Sequence, residues 1–395
     1  MPESVSVVAA GKAAWPMARA FAAVRPAGVR AGLIAGPRID GGTPPAGFAS
    51  MNPGHPLPTM ESVAAGRRAL EIARDSAGAD GTLVVLLSGG ASAMLVAPAP
   101  EIRIEDKIAT ARSLMLAGEP IDRLNCVRKH LSSLKGGGLA AAAARTVTLA
   151  ISDVHGPVAD DPAVIGSGPT VGDPTTFAEA LAIAEPVPGV PPRVLERLRR
   201  GGRGEVEETI KPGDPRLAGN VYEVVGNCRI ALDGARREAE GLGYRVFELA
   251  EPVTGEAREA SRAFVARAAA VARGAGAPCC VLAAGETTVT VRGGGLGGRN
   301  QEFALAAAPV VAALPGLAVL ASVGTDGVDG PTPAGGAIVD SSTIARAVAS
   351  GLGWESTLAA NDAYHFFAPL GDLIAWGPTG TNVGDLQVLL MVDQA

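Results

Sequence analysis

Aromatic residues are scarce in this chain, and histidines and basic clusters are few. Aromatics make up 4% of the 395 residues and four histidines occur, so the core must be built mainly from Ala, Val and Leu. Lys and Arg form no stripe and the net charge is −6, which argues against nucleic acid as the main partner. No apolar run approaches the ~18 residues of a membrane span, and no basic-then-apolar leader occurs. We therefore expect a cytoplasmic protein without membrane contacts.

Several catalytic and metal-binding patterns are also missing. Cys126, Cys228, Cys279 and Cys280 have no metal-ligand spacing and predict buried, reduced thiols. No Ser-His-Asp order, HExxH or CxxC pattern occurs, so hydrolase and zinc-enzyme interpretations have little support. What is abundant is glycine and proline, with 52 and 30 dispersed residues. This composition is typical of a loop-rich α/β enzyme.

Apolar runs that predict strands alternate with Ala-rich helical stretches along the chain. The predicted strands are 5–9, 32–35, 82–87, 146–151, 221–225, 244–249, 279–284 and 317–323, and the predicted helices are 14–24, 61–76, 104–117, 177–184, 229–241, 255–273 and 301–308. This alternation predicts βαβ units and a mostly parallel sheet. The length favours two domains, and the polar, Gly- and Pro-rich stretch 199–219 is the best boundary. We place the domains at 1–215 and 216–395.

The strongest chemical signal lies in the C-terminal half. Residues 288–292 alternate like a strand, and the glycines of 293–298 lead into a helical run behind Arg299. Such a unit brings backbone N–H groups and a positive helix end close to an anion. A later strand ends in Asp326 and Asp329, where carboxylates commonly hold a metal or position a nucleophile. Glycines, a fixed cation and carboxylates together favour phosphoryl transfer.

The same glycines permit other interpretations. Gly293, Gly295 and Gly298 match the GxGxxG dinucleotide fingerprint, but the acid expected about 20 residues later is matched only loosely by Asp326. A true P-loop is absent because Arg and Asn follow the glycines where Lys and Ser/Thr are required. A phosphate loop, a dinucleotide site and a simple strand–helix turn therefore stay open on these residues alone.

Other polar residues also follow predicted strands, where open α/β sheets bind their ligands. Lys12 follows the first strand, where a phosphate would meet both its ammonium group and a helix dipole. The loop at 88–92 follows another strand and offers N–H groups and hydroxyls to a phosphate. Asp153 follows a third and opens a long acidic loop of a kind that is often functional. The alternatives are a solvated helix end and a flexible turn.

A short basic segment contains Arg128, Lys129, His130 and Lys135. Its functional interpretation is a clamp for a substrate or a phosphate, and its alternative is a solvated helix end.

Taken together, these motifs resemble the glycerate 2-kinase family, the class II glycerate kinases with a C-terminal MOFRL domain. The resemblance covers nearly the whole chain in the right order. The segments are GKAA at 11–14, GHPLP at 54–58, SGGASA at 88–93, KHLSSLKGG at 129–137, SDV at 152–154, GSGPTVGDPTTF at 166–177, GETTVTVRG at 285–293, GGRNQEFAL at 297–305, GTDGVDGPT at 324–332, NDAYHFF at 361–367 and GPTGTNVGDL at 377–386.

The resemblance implies ATP-dependent phosphorylation of D-glycerate at its 2-hydroxyl, with Mg²⁺ carried on the nucleotide phosphates. It implies a two-domain α/β fold with a Rossmann-like α/β/α N-terminal domain, a smaller α/β C-terminal domain and an active site in the cleft. The family's active-site lysine, arginine and aspartate correspond to Lys12, Arg299 and Asp326. Family members usually carry a helical segment before the first strand, which this chain lacks. Another element, or a second subunit in a homodimer, is expected to cover that sheet face.

The remaining candidate residues fall into three groups. The nucleotide and phosphate group is Ser88, Gly89, Gly90, Ser92, Gly297 and Gly298. The substrate or phosphate clamp is Lys129, His130, Glu286 and Asn300. The Mg²⁺ ligands are Asp153 and Asp329. An NAD(P)-dependent hydroxypyruvate reductase is the alternative enzyme, although no histidine lies near the glycine loop to face a hydride. A non-catalytic sugar-acid sensor is the third class.

Overall fold

The computed structural model describes residues 4–26, 28–38, 41–78, 81–156, 158–273 and 278–392. The chain divides into two compact units, Met1–Val225 and Gly226–Ala395. Within the described part, no helix is both long enough and apolar enough to cross a membrane. The four cysteines form no disulfide there, and three of them are buried.

The first unit alternates strands and helices. Its elements are β1 (Val5–Ala10), α1 (Ala14–Val24), β2 (Val29–Ala35), β3 (Phe48–Met51), α2 (Met60–Asp75), β4 (Leu83–Leu87), α3 (Ala91–Met94), α4 (Ile104–Leu116), α5 (Ile121–His130), α6 (Gly138–Ala141), β5 (Thr146–Ile151), α7 (Phe177–Ala184), α8 (Pro192–Gly202) and β6 (Val221–Gly226). The described strands form a six-stranded sheet in the order β3-β2-β1-β4-β5-β6. The registers from β3 to β5 are parallel.

Both faces of this sheet are covered, which explains its continuous apolar strands. All six residues of β1 are buried. Its odd-numbered positions pack with α1 through Trp15 and Phe21, while the other face packs against α2 through Ala69 and Ile72. The strand order is that of a doubly wound Rossmann fold, and it reverses direction at β1 and β4. The predicted Rossmann-like architecture is therefore confirmed, and ligands are expected at the carboxyl ends of these two strands.

The stretch 199–219, predicted as a linker, belongs to the first unit. Helix α8 extends into it, and the Thr209 hydroxyl donates to Asp173 Oδ2 at 3.0 Å. The Glu208 carboxylate accepts from Phe177 N at 2.9 Å. Strand β6 then completes the sheet, so the chain leaves the first unit after Val225 rather than after residue 215. Glycine and proline in this stretch therefore mark turns packed on the unit.

The second unit contains the remaining elements. They are α9 (Cys228–Gly241), β7 (Arg245–Glu248), β8 (Val253–Glu256), α10 (Ala257–Ala272), β9 (Cys279–Thr288), α11 (Arg299–Ala312), β10 (Leu317–Gly324), β11 (Gly336–Asp340), α12 (Thr343–Ala349), α13 (Trp354–Ala359), α14 (Ala363–Phe367), β12 (Leu373–Ile374) and β13 (Asp385–Val392). Among the described residues, the strand order is β12-β11-β10-β13-β9-β7, with β8 also pairing with β9. Helices α10 and α11 pack on one face, and α9 packs on the other.

This second sheet is mixed, whereas alternation of strands and helices had predicted mostly parallel pairing. Strand β13 inserts between β10 and β9 and runs antiparallel to both. Strands β7 and β8 pair with β9 in parallel. The expected strand at 288–292 is also wrong beyond its first residue, because β9 ends at Thr288. The following segment is an irregular loop that leads to α11.

Candidate active site

The register of the second sheet brings three polar strand ends together. Asp385, the first residue of β13, is paired with Gly324 at the end of β10 and with Gly285 in β9. Glu286 follows in β9, and Asp326 lies two residues beyond Gly324. Carboxylates from three strands therefore share one edge of the sheet. Asp385 was missed by the sequence analysis because β13 itself was not predicted, although its segment GPTGTNVGDL belongs to the recognised motifs.

Arg299, the first residue of α11, is held by two of these carboxylates. Its Nε and Nη2 donate to Asp385 Oδ2 and Oδ1 at 2.6 and 2.9 Å, and Nη1 lies 3.1 Å from Glu286 Oε1. The Asp385 side chain is fully buried, whereas that of Glu286 is 46% exposed. Burial acts to lower the pKa of the Arg299 guanidinium, but hydrogen bonds and charge from Asp385, with the Glu286 charge, raise it overall. Arg299 is therefore a permanently charged and oriented cation.

Asp326 lies beside this pair. A Cβ atom built on Gly324 would lie 3.3 Å from Asp326 Oδ1 and 3.5 Å from Asp385 Oδ1, so the two carboxylates flank the same glycine. Asp326 Oδ1 accepts from Val328 N at 3.1 Å. The preceding Thr325 donates its hydroxyl to Gly384 O at 2.7 Å. These bonds tie the Asp326 turn to the segment that enters β13.

Asp329 caps α11 from a separate loop. Its Oδ1 accepts from Asn300 N at 3.0 Å, and its Oδ2 accepts from Gln301 N at 2.8 Å and Gln301 Nε2 at 3.1 Å. Burial raises the pKa of Asp329 to about 6, although the backbone hydrogen bonds act to lower it. A Cβ on Gly298 would lie 2.3 Å from Asp329 Cγ, so this close approach requires glycine. The N-terminus of α11 was expected to face a phosphate, but two of its backbone N–H groups already donate to the Asp329 carboxylate.

The clamp residue Asn300 is also internal. It is 1% exposed, and its Oδ1 accepts from the Ser322 hydroxyl at 2.7 Å. Gly297 and Gly298 are half-buried and precede Arg299 directly. Of the predicted phosphate and clamp residues in this unit, Glu286 is the one that combines exposure with contact to Arg299.

The glycine loop before α11 packs on the protein itself. Asn361 Oδ1 accepts from Arg292 N at 2.8 Å and Gly293 N at 2.9 Å, and Asp362 Oδ1 accepts from Leu296 N at 2.7 Å. A Cβ on Gly295 would lie 2.4 Å from Asp362 Cβ. The GxGxxG spacing therefore serves close packing between two loops. These N–H groups are not presented to a pyrophosphate, and the geometry does not support a dinucleotide site here.

In the first unit, Lys12 lies at the point where the strand order reverses. Its backbone N–H donates to Gly89 O at 2.9 Å, and Ala13 N donates to Ser88 Oγ at 3.0 Å. The Ser88 hydroxyl in turn donates to Ala10 O at 3.3 Å. Ser88 and Gly89 therefore position the turn that carries Lys12. Ser88, being fully buried, acts through that turn rather than as an open phosphate ligand.

Ser92 is part of a buried chain of polar side chains. Lys135 Nζ donates to Ser92 Oγ at 3.1 Å, and Ser92 Oγ lies 2.6 Å from Ser167 Oγ. Ser167 donates to Asn125 Oδ1 at 2.9 Å, so Ser92 is the donor to Ser167. Ser167 has a φ of 62°, a left-handed conformation that is costly for serine and often found at functional sites. Lys135 belongs to the basic segment that was interpreted as a clamp, whereas Asn125 and Ser167 were given no role from the sequence.

Lys129 and His130 are 5% and 1% exposed and have internal partners. Lys129 Nζ lies 3.1 Å from Asp173 Oδ1. His130 Nε2 lies 3.2 Å from Glu208 Oε2, and its ring packs edge-on against Phe177 at 4.6 Å. These contacts hold α5 against α7 and the segment before β6. The structure therefore gives both residues a packing role that the predicted clamp did not anticipate.

The predicted Mg²⁺ ligands do not form a metal cage. Both Asp329 oxygens are occupied by N–H donors, and Asp153 lies half-buried after β5 in the first unit. The described residues contain no group of three or more His, Cys, Asp or Glu side chains placed to hold a metal ion. Residue 157, in the long acidic loop that opens with Asp153, lies outside the described residues.

Comparison with known proteins agrees with this architecture. Residues 1–199 match the family described as "Domain of unknown function (DUF4147)", and residues 279–385 match the MOFRL family. The chain is 37% identical to a glycerate 2-kinase of Pyrococcus horikoshii, covering 99% of this chain and 88% of the relative. It is 36% identical to a D-glycerate 2-kinase of Thermotoga maritima, covering 99% and 91%.

Two further comparisons bear on fold and activity. A crystal structure of the Thermotoga maritima glycerate kinase superposes with a TM-score of 0.87 at 35% identity, covering 98% of this chain and 91% of that one. A protein of Agrobacterium vitis, provisionally named a hydroxypyruvate reductase, is 39% identical over 98% of this chain and 86% of its own length. With both family models matched in order and near-complete coverage of its relatives, the chain belongs to the glycerate 2-kinase family.

Proposed function

We propose that this protein transfers the γ-phosphoryl group of ATP to the 2-hydroxyl of D-glycerate and releases 2-phosphoglycerate and ADP. The observation that carries the proposal is the Arg299 guanidinium, oriented by buried Asp385 next to the carboxylate of Asp326. Phosphoryl transfer depends mainly on positioning and charge neutralisation. In such an arrangement the fixed cation stabilises the negative charge on the transferred phosphoryl group, and the carboxylate accepts the proton of the hydroxyl group.

In this proposal Asp326 accepts the proton of the 2-hydroxyl, or orients it, as the oxygen attacks the γ-phosphorus. The bond from that phosphorus to the β,γ-bridging oxygen breaks, and the electron pair leaves with ADP. Arg299 keeps its contact with Asp385 throughout, since Asp385 is buried. The exposed Glu286 is the ligand of Arg299 that an incoming carboxylate or phosphoryl oxygen replaces. Glu286 thereby holds the guanidinium in place before the substrate binds.

The first unit supplies the residues proposed for the nucleotide. Lys12 offers a cation at the carboxyl end of β1, as expected for the ligand edge of a doubly wound sheet. Gly90 and Ser92 follow β4 at the same edge, and Ser88 and Gly89 fix the turn of Lys12. In this proposal Mg²⁺ enters as part of the substrate MgATP, where phosphates and water are its usual ligands. No residue of this chain is assigned as its dedicated ligand.

One assay separates this function from the reductase alternative. The purified protein is given MgATP with D-glycerate and, separately, NADH or NADPH with hydroxypyruvate. We expect ADP formation that requires D-glycerate, and no oxidation of either dinucleotide, because the glycine loop is packed against Asn361 and Asp362. Oxidation without ADP formation would establish the reductase. Binding of D-glycerate without turnover in either mixture would favour a sensor.

A further inference from the structure

A cavity of about 530 Å³ lies in the first unit beside the loop that follows β4. Its lining includes four cationic side chains, which are Lys107, Arg112, Arg128 and Lys135. Among the described residues that line it there is no Asp or Glu. The volume falls within the range of about 300–1,000 Å³ that is typical of ligand pockets. Four cations without a carboxylate indicate an anionic ligand.

Within the described part of the chain, Lys107 and Lys135 donate only to neutral acceptors. Lys107 Nζ donates to main-chain carbonyls at the end of α5, of which Leu131 O is the nearer at 2.8 Å. Lys135 Nζ donates to Ser92 Oγ and to a main-chain carbonyl, both at 3.1 Å. Burial, followed by the charge of Arg128, lowers the pKa of Lys107 to about 7. Burial and these neighbouring cations also hold the pKa of Lys135 well below its usual range.

Arg128 adds a guanidinium for which the described residues provide no acceptor. Burial lowers its pKa. Nearby Arg197 contributes further positive charge, with its Nε donating to His130 O at 3.0 Å. Partly burying unpaired cations side by side costs free energy. A bound polyanion would remove that cost, whereas a single carboxylate would remove only part of it.

One side of the cavity is apolar. Its wall there includes Pro56, Leu57, Ile108 and Met115, and Leu57 and Met115 are 63% and 53% exposed. Exposed apolar side chains next to a cluster of cations match a ligand with a flat apolar part and a polyanionic part. A nucleotide has this composition. Its base would contact the apolar wall, and its phosphates would contact the cations.

We propose that this cavity binds the nucleoside triphosphate donor, with the triphosphate on Lys107, Arg128 and Lys135. The inference rests on the proposed kinase function for the identity of the anion. Gly90 and Ser92, which the sequence pattern predicts to contact phosphate, line the same cavity. A triphosphate satisfies three cations, whereas D-glycerate carries a single carboxylate.

Trace acetylation of lysines in the wild-type protein at neutral pH, read by mass spectrometry, tests this directly. A lysine titrating near 7 reacts while ordinary lysines are still protonated, so Lys107 is expected among the most reactive sites. At about ten times its Kd, MgATP should reduce labelling of Lys107 about tenfold. Inorganic tripolyphosphate should protect at a higher concentration, because it lacks the base. D-glycerate and 2-phosphoglycerate should leave labelling unchanged. Absence of protection by ATP and tripolyphosphate, or equal protection by either three-carbon acid, would overturn the proposal.

A variant pair supplies a second readout. Arg128→Met should raise the KM for ATP about tenfold or more, since a charge-assisted contact is lost, and should leave the KM for D-glycerate unchanged. The matched control is Arg123→Met on the same helix, whose exposed side chain pairs with Glu119; both constants should stay near wild type. An Arg128→Met enzyme with unaltered KM for ATP would contradict the assignment. If the wild-type protein phosphorylates D-glycerate but ATP does not protect Lys107 from acetylation, the proposed ATP cavity is wrong and the kinase function stands. If ATP protects Lys107 but no phosphorylation is detected, the kinase function is wrong and the cavity stands.

Discussion

At the scale of single residues, the two carboxylates on Arg299 differ in a way that bears on chemistry. Asp385 is fully buried and bidentate, so it fixes the plane of the guanidinium. Glu286 is half exposed and makes one contact, which leaves it the exchangeable partner. An arginine presented in this way is suited to bind an anion without losing its orientation.

Replacing Arg299 by Lys should lower kcat/KM for D-glycerate by about two to three decades. The ammonium group keeps the charge but cannot hold Asp385 in a bidentate contact and bind the substrate anion as well. Steady-state kinetics and thermal unfolding are measured on the same variant, because a buried Asp385 without a cationic partner would destabilise the protein. Arg299→Ala would remove that cation completely, so lysine is the better substitution for this test.

Arg258→Lys is the matched control for this prediction. Arg258 makes a comparable partly buried contact in the same unit, with its Nε 2.6 Å from Glu302 Oε1. The Arg258→Lys substitution should lower the free energy of unfolding about as much as Arg299→Lys does. The Arg258→Lys variant should nevertheless retain most of the kinase activity. Equal losses of activity in the two variants would mean that Arg299 acts through folding alone.

At the scale of elements, the start of α11 shows why this glycine loop differs from a dinucleotide loop. Its turn is packed against the segment between α13 and α14, and Asp329 takes the N-terminal amide groups of the helix. A sequence pattern reports spacing between glycines but not what approaches them. The approaching groups here come from residues 29 and 66 positions further along the chain, as the contacts with Asp329 and Asp362 show.

Alanine substitutions at two glycines of this loop are expected to have different effects. Gly298→Ala would place a methyl group against Asp329 and should lower the melting temperature and the kinase activity together. Gly294→Ala, with nothing within 4 Å of the new Cβ, should match the wild type in both. Differential scanning calorimetry and the kinase assay check the pair. A Gly298→Ala protein as stable as Gly294→Ala would show that Asp329 does not approach the loop in solution.

The helix cap also predicts a pH dependence. The pKa of Asp329 is about 6 in the folded protein and about 4 in an unfolded chain, so the folded state binds this proton more tightly. The carboxyl group therefore contributes stability at low pH, which is lost as the pH rises from about 4 to 6. Relative to Asp329→Asn, the wild type should lose about 2 kcal/mol of unfolding free energy between pH 4.5 and 7. Denaturant unfolding of both proteins measures it, and a difference that is constant with pH would contradict the shifted pKa.

Much of the first unit could be predicted from the sequence, because its buried strands are continuous apolar runs and its sheet is parallel. Lys12 and the loop at 88–92 were located by their positions after such strands. The second unit was harder, since β13 comes last in the chain yet lies in the middle of the sheet. Asp385 therefore joins Arg299 only through antiparallel register, which no local pattern contains. Lys107 is likewise brought to Arg128 by the packing of α4 against α5, whereas Lys135 follows α5 in the same basic segment as Arg128.

At the scale of the whole molecule, each unit contributes a distinct set of charges to the proposed reaction. The first has Lys12 and a cavity lined by cations at the ligand edge of a doubly wound sheet. The second has an oriented arginine with carboxylates at the edge of a mixed sheet. The near-complete match to glycerate kinases extends over both units, which is why we assign both sets to one activity.

Identifying the phosphorylated product tests that activity most directly. The wild-type protein is incubated with MgATP and D-glycerate, the products are resolved by ³¹P NMR, and enolase is then added to the same sample. We predict a single new monoester, 2-phosphoglycerate, that enolase converts without any other enzyme, together with an equal amount of ADP. A product that is mainly 3-phosphoglycerate, or ATP consumption without a glycerate ester, would contradict it.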